Sequence, residues 1–269
     1  MASGGPAAVV VTADDLGLST GVTDGILRAY RRGIARSTSL LVTYPSSEAG
    51  AASARSEPGL EVGLHFDLVG GAPASDPAHV RSLVGPDGAF VPLRELLARI
   101  AMVRISAREV AGELRAQVTR ARSWGIEPLA WDSHRHIHAL PQIARVVAAV
   151  AREERVRWIR RPLPAAPWRG SKPAALRLAA AWSERFYRGI PGNTWYVDLS
   201  SWRPGGARAV ALLTAQGGVG EIGAHPGYPD AELRGRDGLT DRREVDLALL
   251  TDPLLRAALG RDAVVWRVS

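Results

Sequence analysis

The amino-acid sequence, 269 residues long, contains no cysteine. Disulfides, zinc–thiolate sites and cysteine nucleophiles are therefore excluded, and such a composition suits a reducing compartment. No stretch reaches about 18 uncharged apolar residues, so we expect no membrane insertion. The first residues lack a basic region ahead of the first apolar run, which argues against a signal peptide and predicts a cytoplasmic protein.

Lysine is almost missing, since Lys172 is the only lysine among 34 basic residues. The net charge of +7 would be compatible with nucleic-acid binding. The arginines, however, are spread along the chain, and the densest basic run, residues 155–162, alternates in character as a strand does. We therefore expect no nucleic-acid partner.

What the sequence does contain is a regular alternation of short β-like runs and helical patterns. The apolar run at 7–14 predicts a buried strand, and apolar residues at four-residue steps predict a helix over 106–124. Seven or eight such β/α units predict a distorted (β/α) TIM-like barrel with about seven or eight parallel strands, in a single domain over residues 1–269. An open doubly wound sheet is the alternative. Towards the C-terminus we expect a helix over 205–216, a strand over 219–225, a helix over 241–259 and a strand over 263–268.

Polar residues fall where four of the predicted strands end. In chain order they are Asp14 with Asp15, His65, Asp132 with His134, and His225. The carboxyl ends of parallel strands converge on one face of a β/α barrel, where active sites form. One carboxylate and two imidazoles leave a divalent metal with open positions, and a second carboxylate can act as a general base. These parts suit amide or ester hydrolysis, whereas no phosphate-binding or dinucleotide-binding motif supports a kinase or a dehydrogenase.

Each of these clusters also has a structural explanation. Paired aspartates can cap the helix that follows them, His65 can be a hydrogen-bonded core histidine, and His225 can be tied to backbone in a loop. Neighbouring side chains on a strand point to opposite sides, so one aspartate could bind a metal while the other handles a proton.

The segment WDSHRHIH, residues 131–138, has a histidine at every second position from His134. On a continuous strand, His134 and His138 would be about 13 Å apart, so at most two of the three histidines could bind one ion. That limit disappears if the strand ends and the chain turns, as Leu140 and Pro141 indicate. A polar strand face without a metal is the alternative.

Four motifs in this order, TADDLGLSTGV, GLHFDL, WDSHRHIH and HPGY, resemble those of the YdjC-like carbohydrate deacetylases and span residues 12–228. The resemblance implies a distorted (β/α) barrel, one divalent metal ion (Mg²⁺ or Zn²⁺), and removal of an N-acetyl group from an amino sugar. The substrate would be an acetylated oligosaccharide, glycolipid or glycosylated secondary metabolite. Members of this family are often dimers, which favours a homodimer.

The resemblance also implies roles for individual residues. Asp15, His65 and His134 would be the metal ligands, and Asp14 the base that activates water. His225 is the candidate acid for the leaving amine, and Asp132 would orient His134. The remaining motif residues expected to support the site or face the substrate are His136, His138 and Tyr228.

The chain departs from the family pattern at Leu16, Trp131 and Arg135. Its middle part has four tryptophans without a counterpart in the motifs, namely Trp168, Trp182, Trp195 and Trp202. They could stack on a sugar, although packing in the core or an interface is the simpler explanation. Two other functions remain open: another metal hydrolase, such as a phosphoesterase, would need ligands for a second metal, and a non-catalytic sugar-binding protein would not need a base beside a metal ligand.

Overall fold

Seven strands form one parallel sheet in the computed structural model, which describes residues 8–163, 171–201 and 218–259. They are β1 (Ala8–Leu16), β2 (Ser37–Leu40), β3 (Glu61–Phe66), β4 (Ala130–Ser133), β5 (Trp158–Ile159), β6 (Trp195–Asp198) and β7 (Val219–Ala224). Their spatial order is β5-β4-β3-β2-β1-β7-β6.

The two edge strands of this sheet approach each other. The backbone N–H of Ile159 donates to Pro191 O at 3.0 Å, and that of Tyr196 donates to Leu163 O at 2.7 Å. The sheet therefore curls into a barrel-like arrangement, which confirms the predicted distorted (β/α) TIM-like fold.

Helices connect the strands and cover the outside of the sheet. They are α1 (Thr20–Arg32), α2 (Ser47–Arg55), α3 (Leu93–Ala101), α4 (Ala107–Ser123), α5 (Pro141–Glu153), α6 (Ser171–Tyr187), α7 (Ala231–Arg236), α8 (Arg242–Leu250) and α9 (Pro253–Leu259). Within the described ranges, none of them combines the length and apolarity that a membrane crossing requires.

The C-terminal part differs from the sequence prediction. The prediction of a single helix over 241–259 is wrong, because α8 and α9 are separate helices. Pro253 has no backbone N–H to continue the ladder, and it disfavours a helical conformation at the preceding residue. The helix expected over 205–216 and the strand over 263–268 lie outside the described residues.

Alternate residues of β1 face opposite sides of the sheet. The odd-numbered residues from 9 to 13 belong to the main apolar core, together with residues of the surrounding helices. The even-numbered residues face the inside, where Thr12 Oγ1 donates to Glu221 Oε1 at 3.0 Å. Asp14 continues this inward series, so the strand alternation brings a carboxylate to the carboxyl end of the barrel.

Candidate active site

Asp15 has an unusual backbone conformation directly after Asp14. Its φ of 73° lies in the left-handed region, which aspartate tolerates better than most residues. On a regular strand the side chains of Asp14 and Asp15 would point to opposite sides. Here each has an oxygen within 4.8 Å of a His65 ring nitrogen, so both carboxylates reach the same cluster.

Asp15, His65 and His134 bring one carboxylate and two imidazoles together. Asp15 Oδ1 lies 3.2 Å from His65 Nε2 and 3.1 Å from His134 Nδ1. All three residues are buried, and their three ligand atoms lie within 4.8 Å of one another. Two atoms that bind one ion at about 2.1 Å are themselves about 3.0–3.4 Å apart. The spacing and the donor chemistry of this group therefore fit a divalent metal ion.

The second oxygen of Asp15 is held by an arginine from α8. Arg243, fully buried, places Nη2 at 2.7 Å from Asp15 Oδ2 and at 3.1 Å from Asp237 Oδ2. Burial alone would raise the pKa of Asp15, but the charge of Arg243 and the two histidines hold it well below the usual value. Asp15 is therefore ionised, as a metal ligand has to be. No sequence motif pointed to Arg243.

Asp132 orients His65 rather than His134. Asp132 Oδ1 lies 2.7 Å from His65 Nδ1, and Ser39 Oγ lies 3.0 Å from the same nitrogen. The expectation that Asp132 orients His134 is therefore wrong, because the register of β3 and β4 pairs His65 with Asp132. Burial would lower the pKa of His65, but the Asp132 carboxylate outweighs it and raises the pKa to about 10. A carboxylate behind a histidine is the usual support of a metal-binding imidazole.

Arg160, which follows β5, holds the carboxylate of Asp14. Its side chain is fully buried and donates to Asp14 Oδ2 at 2.7 Å and to Asp14 Oδ1 at 2.8 Å. Its Nε donates to Glu221 Oε1 at 2.8 Å. Burial would raise the pKa of Asp14, but Arg160 lowers it to about 2. Arg160 is not among the predicted site residues, although it is, like them, a charged or polar residue at the end of a predicted strand.

A second group of possible ligands shares His65 with the first. It consists of Asp14, His65 and Asp132. Arg160 Nη1, however, lies 2.7 Å from both Asp14 Oδ2 and Asp132 Oδ2. The contact with Asp132 lacks the direction of a hydrogen bond and is an ion pair. The guanidinium thus supplies the positive charge that a second cation would bring, and the geometry favours a single metal.

His225 directly follows β7 and faces Asp14. Its Nε2 lies 4.0 Å from Asp14 Oδ2, and its Nδ1 lies 3.0 Å from Ser200 Oγ and 3.8 Å from Asp198 Oδ1. Its backbone N–H donates to Asp246 Oδ2 at 3.0 Å. The imidazole is therefore oriented through one nitrogen and presents the other to the carboxylate of Asp14.

The chain turns immediately after β4. A 3-10 segment, His134–Ala139, replaces the strand, with Arg135 and His136 at φ values of 57° and 53°. The alternative interpretation of this segment as a continuous polar strand face is therefore wrong, and the distance limit for three histidines on one strand does not apply.

After this turn, the other two histidines do not belong to the ligand group around Asp15. The ring of His136 contacts that of Tyr196, with centroids 5.2 Å apart, and burial together with the charge of Arg160 lowers the His136 pKa to about 3. His138 is fully buried, with Nδ1 at 2.6 Å from Ser133 Oγ and Nε2 at 3.0 Å from Arg160 O. Both ring nitrogens of His138 are thus engaged within the protein, which gives it a supporting position.

The remaining candidates have mixed positions. Tyr228 is 37% exposed, and its backbone N–H donates to Gly21 O at 3.0 Å. Trp195 is buried in the core, whereas Trp182 is half exposed with the guanidinium carbon of Arg185 3.4 Å from its ring centroid. Trp168 and Trp202 lie outside the described residues.

Comparisons with known proteins agree over nearly the whole chain. The sequence model of the family described as YdjC-like protein matches residues 8–261. A carbohydrate deacetylase from Geobacillus stearothermophilus is 34% identical over 96% of this chain and 95% of its own length. The corresponding values for a carbohydrate deacetylase from Homo sapiens are 33%, 95% and 88%. A crystal structure from Enterococcus faecalis, named for a proposed cleavage of cellobiose phosphate, has the same fold, with a TM-score of 0.80, 23% identity and 97% of each chain covered.

Proposed function

The chain belongs to the YdjC-like protein family, and we propose that it is a metal-dependent hydrolase that removes the N-acetyl group from an acetylated amino sugar. Relatives that share about a third of its residues over almost its full length are named carbohydrate deacetylases. The observation that carries the proposal is the convergence of Asp15, His65 and His134 beside Asp14 at the carboxyl end of the barrel.

The proposed metal ligands are Asp15, His65 and His134. When bound there, a divalent ion supplies Lewis-acid chemistry, which polarises a carbonyl oxygen and acidifies water. Imidazole donors suit Zn²⁺ better than Mg²⁺, which prefers oxygen ligands, so both ions belong in a test. Arg243 and Asp132 hold two of the three ligands in position from behind.

Asp14 is the proposed base. Its pKa of about 2 keeps the carboxylate ionised at neutral pH, and the two hydrogen bonds from Arg160 fix its orientation. The same low pKa makes it a weak base, so it would take a proton at Oδ2 only from water that is already acidified. His225 Nε2 lies 4.0 Å from this same oxygen.

His225 is the proposed acid for the leaving amine. Its Nε2 is the nitrogen that faces Asp14, and it would deliver a proton to the amide nitrogen as the C–N bond breaks. Ser200 and Asp198 approach Nδ1 and would stabilise the ring while it is protonated. The proton that Asp14 takes from water would afterwards pass to His225 Nε2, 4.0 Å away, and restore the acid. Acetate and a free amino sugar would be the products.

The substrate class includes acetylated oligosaccharides, glycolipids and glycosylated secondary metabolites. We place the protein in the cytoplasm as a single-domain homodimer, on the grounds of its composition and its family. The buried polar cluster at the end of the barrel is the structural feature that supports the proposal of a small-molecule substrate.

The test is acetate release by the metal-loaded protein. Protein loaded with Zn²⁺ or Mg²⁺ is incubated with N-acetylglucosamine oligomers and with N-acetylated glycolipids, and acetate is measured enzymatically. We expect release from at least one substrate and loss of release in Asp14→Asn. Confirmed metal binding at this site without acetate from any substrate would contradict the proposal.

A further inference from the structure

Two polar atoms, on side chains whose rings are in contact, are buried without a hydrogen-bond partner among the described residues. They are the hydroxyl oxygen of Tyr196 and Nδ1 of His136. Tyr196 is 3% exposed, and its ring meets that of His136 edge to face, with centroids 5.2 Å apart. Buried polar atoms nearly always have partners, so two unpaired atoms on side chains in contact call for a functional explanation.

The fold makes room for the phenol group of Tyr196. On β7, a Cβ atom at Gly223 would lie only 2.1 Å from the Tyr196 hydroxyl oxygen, so the glycine is what lets the side chain extend across. His136 reaches the same place from a left-handed backbone conformation, with φ of 53°. Unfavourable backbone conformations of this kind persist mainly at functional sites.

The pair also lies next to the proposed base. The Tyr196 ring is 5.2 Å from the guanidinium carbon of Arg160, and Arg160 holds both oxygens of Asp14. Tyr196 is on β6, two residues before Asp198, which approaches His225. A group bound by Tyr196 and His136 would therefore be close to the bond that Asp14 and His225 are proposed to act on.

We propose that Tyr196 and His136 form a subsite that binds a hydroxyl group of the substrate next to the reacting amide. This inference rests on the proposed function. A hydroxyl both donates and accepts, so it can pair with His136 Nδ1 and with the Tyr196 hydroxyl whether His136 Nδ1 donates or accepts. A carbonyl oxygen only accepts and an ammonium group only donates, so each would satisfy the pair in fewer states. Hydroxyl groups are the dominant polar groups of a sugar ring.

The test is a thermodynamic cycle, in which one substitution in the protein is combined with one change in the substrate. The probes are N,N′-diacetylchitobiose and analogues that each lack one ring hydroxyl. For the wild type, we expect kcat/KM to fall about 3- to 10-fold for one analogue, the effect of one neutral hydrogen bond. For Tyr196→Phe, we expect a similar loss with the parent sugar and no further loss with that analogue.

Tyr187→Phe is the matched control. Tyr187 is equally buried, but its hydroxyl already donates to His138 O at 2.7 Å. We expect this variant to unfold at a lower temperature while it still discriminates against the deoxy analogue as the wild type does. If Tyr196→Phe instead lowers kcat/KM by the same factor for every sugar, the pair binds a structural water and the subsite is overturned.

The same cycle can be measured without turnover. Calorimetric Kd values for the sugars with the wild type and Tyr196→Phe reveal the coupling even if no acetate is released. Binding with coupling but without acetate would contradict the deacetylase function and support the hydroxyl subsite. Absence of coupling in both Kd and kcat/KM, or absence of binding and turnover together, would overturn the subsite.

Discussion

Arg243 Nη2 lies 2.7 Å from Asp15 Oδ2, although the two residues are 228 positions apart in the chain. Because this oxygen is engaged, Asp15 presents only Oδ1 to His65 and His134. The arginine from α8 therefore decides which carboxylate oxygen is available to a metal. It also neutralises part of the negative charge that the cluster would carry before an ion binds.

Replacement of this arginine should destabilise the metal-free protein. In Arg243→Met the buried carboxylates of Asp15 and Asp237 lose a shared partner, and we expect the free energy of unfolding to fall by about 3 kcal/mol. Urea denaturation in the presence of a chelator measures this. Arg234→Met, on an exposed ion pair at 3.6 Å, is the control and should change stability by less than about 0.5 kcal/mol. Equal effects of both substitutions would contradict the assigned role.

Asp132 should contribute to metal affinity without being one of the three proposed ligands. Asp132→Asn removes the charge that faces His65 Nδ1 at 2.7 Å, and we expect the Kd for Zn²⁺ to rise about 10- to 100-fold at unchanged stoichiometry. Isothermal titration calorimetry gives both values. Asp241→Asn changes a carboxylate that is 85% exposed and should leave the Kd unchanged. An unaltered Kd in Asp132→Asn would mean that His65 does not bind the metal.

Asp14 should make the stability of the metal-free protein depend on pH in the acidic range. Its pKa is about 2 in the folded protein and 3.8 ordinarily, so the ionised carboxylate stabilises the fold above pH 4. This contribution, about 2 kcal/mol, is lost as the pH falls from 5 towards 2. Urea unfolding over this pH range should show the loss in the wild type and a smaller dependence in Asp14→Asn. Parallel pH curves for the two proteins would be inconsistent with the Asp14–Arg160 pairing.

His225 should affect the chemical step and not metal binding. In His225→Gln the proposed proton donor is lost, and we expect kcat for acetate release to fall at least about 100-fold. Because His225 faces Asp14 and is not one of the three proposed ligands, the Kd for the metal should stay the same. Steady-state kinetics with calorimetry on the same samples tests both statements. A parallel loss of metal affinity would show that His225 acts through the structure of the site.

The barrel and the general place of its site were predictable from local patterns. The continuous apolar run at 7–14 predicts that β1 is buried on both faces, and polar residues at the ends of several strands predict where the site lies. Asp14, Asp15, His65 and His134 could be named for this reason. The sequence could not show that Asp15 leaves the strand conformation, since that depends on one backbone angle.

The sequence by itself therefore determined the fold class and most of the residues that meet at the end of the barrel, because strand periodicity and motif order are local properties. Tertiary structure alone decided which of them touch. The register of β3 and β4 places Asp132 beside His65, and the turn after Ser133 separates His134 from His136 and His138. Arg160 and Arg243, both buried, reach the aspartates from 146 and 228 positions further along the chain, and such long-range ion pairs leave no periodic signal in a sequence.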